Sequence, residues 1–177
     1  AEDLDLSYRA QLRGWRLVFL DDVTCPAELP VQVNAAKRQH FRWAKGAGQC
    51  TVRLLGQMTR AELSLKTKIQ ASLQLTRHIV HPLLLLQFLI LPLLMTMRYD
   101  IFPVTAIVSQ LLLGPIIYVF ALHHFWGKES FRKLGDYILL MLFSSGISLN
   151  NGIGFIEGLL GRKGPFLRTP KFAVQSG

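Results

Sequence analysis

Two long apolar runs, separated by only three residues, constrain the fold of this chain more than any other feature. The first extends from His81 to Met97 and the second from Ile101 to Leu122. A helix needs about 20 residues to cross the hydrocarbon core of a bilayer, with a range of about 17 to 25, and both runs fall within it. Because the link at 98–100 is long enough only for a tight turn, we predict a transmembrane helical hairpin at 81–122, with helices at 81–97 and 101–122.

A third apolar segment, at 137–160, has a different character because it contains polar residues throughout. Asn150, Asn151 and Glu157 would be costly if they faced lipid. A third full span would also place the basic residues after 160 on the opposite side from those before 134, against the positive-inside tendency. We therefore predict an interfacial or re-entrant element here, with a turn or helix break at Asn150-Asn151-Gly152.

The first 60 residues are polar and mixed in pattern. Leu4, Tyr8 and Leu12 recur at helical spacing over 2–13, and Gly14 follows where a helix would end. The segment 15–20 (WRLVFL) predicts a short strand. A further helix is predicted over 31–58, interrupted near Gly46 and Gly48.

The segment 61–80 predicts an amphipathic helix that lies in the plane of the membrane interface. Leu65, Ile69 and Leu73 share one side, and Lys66 and Lys68 lie on others. An ordinary packed helix is the alternative.

Charge is distributed unevenly along the chain. Residues 31–77 contain nine Lys or Arg and one acid, Glu62. Such a block suits anionic headgroups, a nucleotide diphosphate or nucleic acid. Nucleic acid is disfavoured because apolar spans follow directly and no nucleic-acid-binding motif is present. Cys25 and Cys50 lack the spacing of a disulfide framework and are predicted to be free thiols.

The residues best suited to chemistry are two acids near the start of the chain and the cluster Gln39-His40-Phe41-Arg42-Trp43. Arg42 can make forked contacts with phosphate oxygens, which Lys cannot reproduce. Trp43 offers a flat apolar face to a sugar, or alternatively an interfacial anchor. Glu2-Asp3 could supply a general base, or could be acids that favour a helix N-terminus. Lys37, Arg38 and Lys45 are predicted to form a solvated basic face.

Taken in order, these motifs resemble the processive family 2 glycosyltransferases, which include the cellulose synthases and the cellulose-synthase-like glucomannan synthases. Glu2-Asp3 and Gln39-x-x-Arg42-Trp43 carry the resemblance, and the apolar hairpin follows them as it does in the family. The stretch EDLDLSYRAQLRGWRLVFL followed by AELP is also similar to the segment between the two motifs. The segment 166–171 resembles the family's gating loop, with Arg168 where the family has Val.

This resemblance implies a fold. The chain is expected to be an α-rich membrane fragment, the C-terminal end of an α/β glycosyltransferase-A domain followed by interfacial and transmembrane helices. Residues 1–60 would end the catalytic domain, 61–80 would form the interface helix, and 81–122 the hairpin. Residues 123–177 would form the interfacial or re-entrant helix and a gating-loop-like tail.

The resemblance also implies roles for individual residues. Asp3 would be the catalytic base and Glu2 a neighbouring carboxylate, while Gln39, Arg42 and Trp43 would bind substrate. Phe166, Thr169 and Lys171 would close over the nucleotide, although a basic tail attracted to anionic lipid is the alternative. Mg²⁺ or Mn²⁺ is implied as a cofactor, with its ligands outside this chain, and no metal site is predicted within it.

The predicted function is elongation of a β-linked polysaccharide by a membrane-embedded inverting glycosyltransferase that uses a UDP- or GDP-hexose. Its partners would be the nucleotide-sugar donor, the growing polysaccharide and the lipid bilayer, and its catalytic face would be cytoplasmic, in a bacterial inner membrane or in the Golgi or plasma membrane of a eukaryote. Two alternatives stay open: a non-processive enzyme that glycosylates a lipid, and a non-catalytic membrane anchor or transporter fragment. The sequence does not determine which sugar is transferred.

Overall fold

The computed structural model describes residues 1–20, 22–96, 104–127 and 134–164, and within these ranges the chain is helical and contains no strand. A 3-10 turn, Arg77–Ile79, joins the third and fourth helices. The α-helices are α1 (Glu2–Leu12), α2 (Val33–Arg60), α3 (Leu65–Thr76), α4 (Val80–Thr96), α5 (Val104–Trp126) and α6 (Leu134–Leu159). The chain divides into two compact units, one made of Ala1–Leu83 with the residues from Leu149 onward, the other of Leu84–Ser148.

The core of the first unit lies where α1, α2 and α3 meet. Its buried side chains are Tyr8, Cys50, Leu54, Met58, Ala71 and Leu75. Two polar contacts join the helices around this core: the Thr51 hydroxyl lies 2.7 Å from the carbonyl oxygen of Leu75, and Arg53 pairs with Asp5 at 3.2 Å. Since Asp5 also pairs with Arg9 at 2.7 Å, its nearly buried carboxylate is neutralised from two sides.

The C-terminal part of α6 belongs to the same unit and packs directly on the backbone of α2. A methyl group at Gly154 would lie 2.9 Å from the carbonyl oxygen of Phe41, and one at Gly158 would collide with the carbonyl oxygen of Lys45. From the α2 side, a methyl group at Gly48 would lie 2.5 Å from the carbonyl oxygen of Phe155. The two helices therefore approach as closely as they do only because these three positions lack a side chain.

The second unit exposes much of its apolar surface. On α5 and α6, the rings of Tyr118 and Tyr137 lie 4.8 Å apart between their centroids. Large apolar side chains nevertheless remain exposed on each of its helices, among them Phe88, Leu89, Phe120, Phe125, Leu139 and Leu142. So much exposed apolar surface is unusual for a protein that faces water on all sides.

Within the part of the chain that the structure describes, two helical stretches are long and apolar enough to cross a membrane, judged by length and composition: Leu65–Ile90 and Gly135–Leu159. The structure has helices where the hairpin was predicted, at Val80–Thr96 and Val104–Trp126. That these helices span a bilayer stays a prediction, and the turn at 98–100 lies outside the described residues.

Four local predictions were wrong. The segment 15–20 is irregular rather than a strand, since no neighbouring strand among the described residues offers it hydrogen bonds. Helix α2 runs through Gly46 and Gly48 without interruption, because Ala1 packs against Gly46 and α6 packs against Gly48, and this packing outweighs the weak helix propensity of glycine. Asn150-Asn151-Gly152 lies inside α6 instead of forming a turn or helix break, while the interfacial or re-entrant placement of this segment stays a prediction. The fourth concerns Lys45, which was predicted to be solvated but forms an ion pair with Glu157.

Candidate functional site

The residues of the Gln-x-x-Arg-Trp motif lie on one face of α2. Gln39, Arg42 and Trp43 are three and four residues apart, the spacing that places side chains above one another on a helix. Gln39 and Arg42 are half-buried, whereas Trp43 keeps 46% of its surface exposed. The motif thus presents an accessible aromatic face next to a more enclosed guanidinium group.

Asp3 and Trp43 line the same cleft, although 40 residues separate them in sequence. This cleft has a volume of about 450 Å³, and Arg77 and Gln74 complete its polar lining. Tyr8 donates a hydrogen bond of 2.8 Å to the side-chain oxygen of Gln74, which fixes that amide beside the cleft. The structure therefore brings the acid of α1 and the aromatic residue of α2 into one concave surface that carries both a carboxylate and a cation.

Glu2, the other acid of the pair, lines a different and smaller pocket of about 240 Å³, which also contains Asp5 and Arg53. The pKa of the Glu2 carboxyl lies below its usual value, chiefly because its own backbone N–H donates to it; the amino group of Ala1 and, more weakly, Arg42 lower it further. A carboxylate with a lowered pKa is a poorer base. Of the two acids, Asp3 is the one that shares a cleft with Trp43.

Histidines lie beside the motif; sequence reasoning named His40 only as part of the motif cluster and did not select His78 or His81. The ring of His40 meets that of Trp43 edge to face with centroids 5.1 Å apart, and burial lowers the pKa of His40. The rings of His78, in the 3-10 turn, and His81, at the start of α4, lie 5.6 Å apart. Nε2 of His81 lies 3.4 Å from the buried amide nitrogen of Asn151 on α6. Each ring pair joins residues three apart in sequence, whereas the packing of the C-terminal part of α6 within the first unit brings Asn151 to His81.

Lys45 and Glu157 form the other contact that sequence reasoning missed. Lys45 Nζ lies 2.8 Å from Glu157 Oε2, with 15% and 26% of the two side chains exposed. Lys45 was predicted to be solvated, which is wrong, whereas Lys37 and Arg38 are exposed as expected. The partner of Lys45 is 112 residues away and belongs to a segment that sequence reasoning placed elsewhere.

Three predicted site residues, Phe166, Thr169 and Lys171, lie outside the described residues. Arg77, Gln74 and Ser7 line the cleft but were not predicted as site residues; Ser7 lies four residues after Asp3, whereas no selected site residue lies near Gln74 or Arg77 in sequence. Within the described ranges, no group of three or more His, Cys, Asp or Glu side chains is arranged to hold a metal ion. Because the ligands of the implied Mg²⁺ or Mn²⁺ were expected outside this chain, the ion stays a prediction for the whole protein.

The family model described as "Glycosyl transferase family group 2" matches residues 1–126. Because the match covers well over half of the chain, the protein belongs to this family. The resemblance carried by Glu2-Asp3 and Gln39-x-x-Arg42-Trp43 is thereby confirmed at the level of the family.

Curated proteins similar to this chain include plant glucomannan mannosyltransferases. The chain is 39% identical over 61 residues to "Glucomannan 4-beta-mannosyltransferase 7" of Arabidopsis thaliana, a match that covers 34% of this chain and 11% of the relative. It is 34% identical over 85 residues to "Probable glucomannan 4-beta-mannosyltransferase 7" of Oryza sativa subsp. japonica, covering 46% of this chain and 14% of the relative. The chain thus spans only a small part of the length of these proteins. No solved structure matches it.

Proposed function

We propose that the whole protein is a membrane-embedded inverting glycosyltransferase that elongates a β-linked polysaccharide from a nucleotide-sugar. The observation that carries this proposal is the shared cleft of Asp3 and Trp43, because a family 2 enzyme needs a base and an acceptor platform at one place. Family membership over residues 1–126 supports the same reaction class.

The proposed step is a single displacement. The acceptor hydroxyl oxygen attacks the anomeric carbon of the donor and forms the new glycosidic bond, while its proton passes to the carboxylate of Asp3. The bond between the sugar and the diphosphate breaks, and its electron pair leaves with the nucleoside diphosphate. Attack from the face opposite the leaving group inverts the anomeric configuration.

The neighbouring side chains have roles that suit this step. Trp43 would hold the terminal sugar of the acceptor against its exposed face. Arg42, the residue before Trp43 on α2, would stabilise the charge that develops on the diphosphate. Gln39, one helical turn earlier on α2, would form a hydrogen bond to the substrate. Holding the acceptor in this way favours the reaction because it replaces a bimolecular encounter with an oriented contact.

Membrane attachment is part of the proposal. Leu65, Ile69 and Leu73 form an exposed apolar stripe on α3, whereas Ala71 and Leu75 on the opposite side are buried. With Lys66 and Lys68 beside the stripe, α3 has the character of a helix that rests in a membrane interface. The exposed apolar surfaces of α4, α5 and α6 would then face lipid, and the cleft would face the cytoplasm.

The donor sugar is proposed from the names of the relatives. The plant relatives are named mannosyltransferases, so GDP-mannose is the first donor to test. A divalent ion, Mg²⁺ or Mn²⁺, is proposed as cofactor, with ligands outside this chain. The gating role of Phe166, Thr169 and Lys171 is likewise a proposal.

The test uses membranes that contain the full-length protein and a panel of labelled nucleotide-sugars of glucose, mannose and N-acetylglucosamine. We expect polymer from one donor, loss of at least about 10²-fold in rate for Asp3→Asn, and little change for Asp22→Asn, which removes an exposed carboxylate outside the cleft. An undiminished rate in Asp3→Asn would exclude Asp3 as the base. Product that partitions wholly with lipid would favour a lipid-glycosylating enzyme, and absence of turnover with every donor would favour a non-catalytic anchor.

A further inference from the structure

The ammonium group of Lys45 occupies an unusual position between three parts of the first unit. Lys45 lies two residues after Trp43 on α2, and its Nζ is 2.8 Å from the carboxylate of Glu157 on α6. The same Nζ would lie 3.0 Å from a methyl group placed at Gly164, so it also abuts the chain that follows α6. One cation therefore joins the helix of the substrate motif, the end of α6 and the segment just beyond it.

The local backbone explains how Gly164 reaches Lys45. Helix α6 ends at Leu159, and Gly161 has a φ of 65°, which reverses the direction of the chain. The N–H of Arg162 donates to the carbonyl oxygen of Glu157 at 2.9 Å, and the N–H of Gly161 donates to that of Gly158 at 3.1 Å. The turn thus begins at Glu157 itself and brings residue 164 back to the ion pair.

The ion pair of Lys45 and Glu157 is shielded enough from solvent to hold α2 and the end of α6 in one relative position. With only 15% of the Lys45 side chain and 26% of the Glu157 side chain exposed, the loss of either partner would leave a poorly solvated charge. Arg162, an exposed cation near Glu157, can offset part of this loss for Glu157 but none of it for Lys45.

We propose that Lys45 and Glu157 are positioning residues for polymer elongation: their ion pair fixes the turn of α2 that carries Arg42 and Trp43 against the end of α6. The inference rests on the proposed function, since it concerns how that site holds its acceptor. It assigns the pair no contact with substrate. Loss of the pair would let Trp43 shift relative to the cleft, and displacements of about 1 Å can cost up to about 10²-fold in rate.

The experiment compares Lys45→Met, Glu157→Gln and the charge reversal Lys45→Glu/Glu157→Lys in the full-length protein. Lys37→Met is the matched control, because it removes an exposed lysine from the same helix. Each variant is assayed per mole of monodisperse protein in detergent, with the donor that supports polymer synthesis and a soluble β-1,4-linked manno-oligosaccharide as acceptor. The readouts are KM for the acceptor, KM for the donor and mean product length.

We expect each single substitution to raise the acceptor KM or shorten the product by about tenfold, with donor KM changed by less than about twofold. The charge reversal should recover most of this loss, as coupled partners do in a double-mutant cycle. Wild-type product length and acceptor KM in both single variants would overturn the inference. If the single variants do not fold, the charge reversal decides: wild-type product length supports the pair, and a folded protein with short product overturns it. Absence of polymer from the wild-type protein would instead overturn the proposed function.

Discussion

Tyr8 on α1 donates a hydrogen bond of 2.8 Å to the side-chain oxygen of Gln74 on α3, and so connects the helix that carries Asp3 to a wall of the cleft that Asp3 lines. Tyr8 is buried, whereas Gln74 is exposed to solvent. Tyr8→Phe should therefore lower the free energy of unfolding by only about 1 kcal/mol, because water can replace the lost partner of Gln74. Thermal unfolding in detergent measures this, and Tyr8→Ala should cost about 3 to 5 kcal/mol because it empties part of the core.

A second prediction concerns the buried hydroxyl of Thr51. Its single proton is shared between the carbonyl oxygens of Leu75 at 2.7 Å and Ala47 at 2.9 Å. Thr51→Val should destabilise the protein by about 1 to 3 kcal/mol, because the carbonyl of Leu75 loses a donor in a buried environment. Thr59→Val is the control: its exposed hydroxyl bonds only within its own helix, so a midpoint of unfolding close to that of wild type is expected. Equal effects of the two substitutions would contradict the argument.

A third prediction tests the seam between α2 and α6. Gly158→Ala should prevent normal packing, because its methyl group would collide with the carbonyl oxygen of Lys45, which backbone rigidity holds in place. Gly56→Ala, on the exposed side of α2, meets open space and should stabilise the helix by up to about 1 kcal/mol. Unfolding midpoints that fall for the first variant and rise for the second are expected. A stable, fully active Gly158→Ala protein would show that the helices do not approach as described.

The fourth prediction is a pH dependence that originates at His40. Burial lowers the pKa of His40 below its usual 6.5, so the unfolded chain binds the proton more readily than the folded one. Its contribution to stability is fully present above that value and is lost as the pH falls toward the folded-state pKa. We expect the unfolding midpoint to fall between about pH 7.5 and about pH 5.5, and to fall less in His40→Gln. The same fall in both proteins would assign the effect to other groups, such as His78 and His81.

A fifth prediction addresses the apolar stripe of α3. In a Cys25→Ser background, which leaves only the buried Cys50, an environment-sensitive fluorophore attached to Ile69→Cys should report an apolar medium and be quenched by lipids with quenchers near the headgroup. The same fluorophore at Arg60→Cys, at the end of α2, should report water. Equal emission and equal quenching at the two positions would show that α3 does not lie on the membrane.

The elements that sequence predicted well were those whose signal is local. The apolar runs at 81–97 and 101–122 correspond to helices, and Gly14 follows α1 with a φ of 84°, as expected of a residue that ends a helix. The failures share one cause, which is that contacts distant in sequence decided the outcome. Gly46 and Gly48 were predicted to interrupt a helix because nothing in their neighbourhood indicates that Ala1 packs against the first and α6 against the second. Lys45 was predicted to be solvated for the same reason.

The candidate site likewise contains residues that a local sequence pattern identifies and residues that only contacts distant in sequence identify. A motif pattern was sufficient to select Asp3, Gln39, Arg42 and Trp43, and the structure places two of these in one cleft. The supporting residues were not predictable in this way. Arg77 and Gln74 had been assigned only to an amphipathic helix, and Glu157 had been considered a costly charge in an apolar segment, because its partner could not be identified from spacing.

The seam of Gly48, Gly154 and Gly158 also has a consequence for how the gene can vary. Each residue added to a helix rotates everything beyond it by about 100° about the helix axis. A single-codon insertion in α6 before Asn150 would therefore bring Ile153 and Glu157 to the positions of the two glycines, and a deletion would bring Phe155 and Leu159 there, against the backbone of α2. Length changes should accordingly be tolerated in the irregular segment between α1 and α2 but selected against within α6, even though Gly154 and Gly158 do not line the cleft.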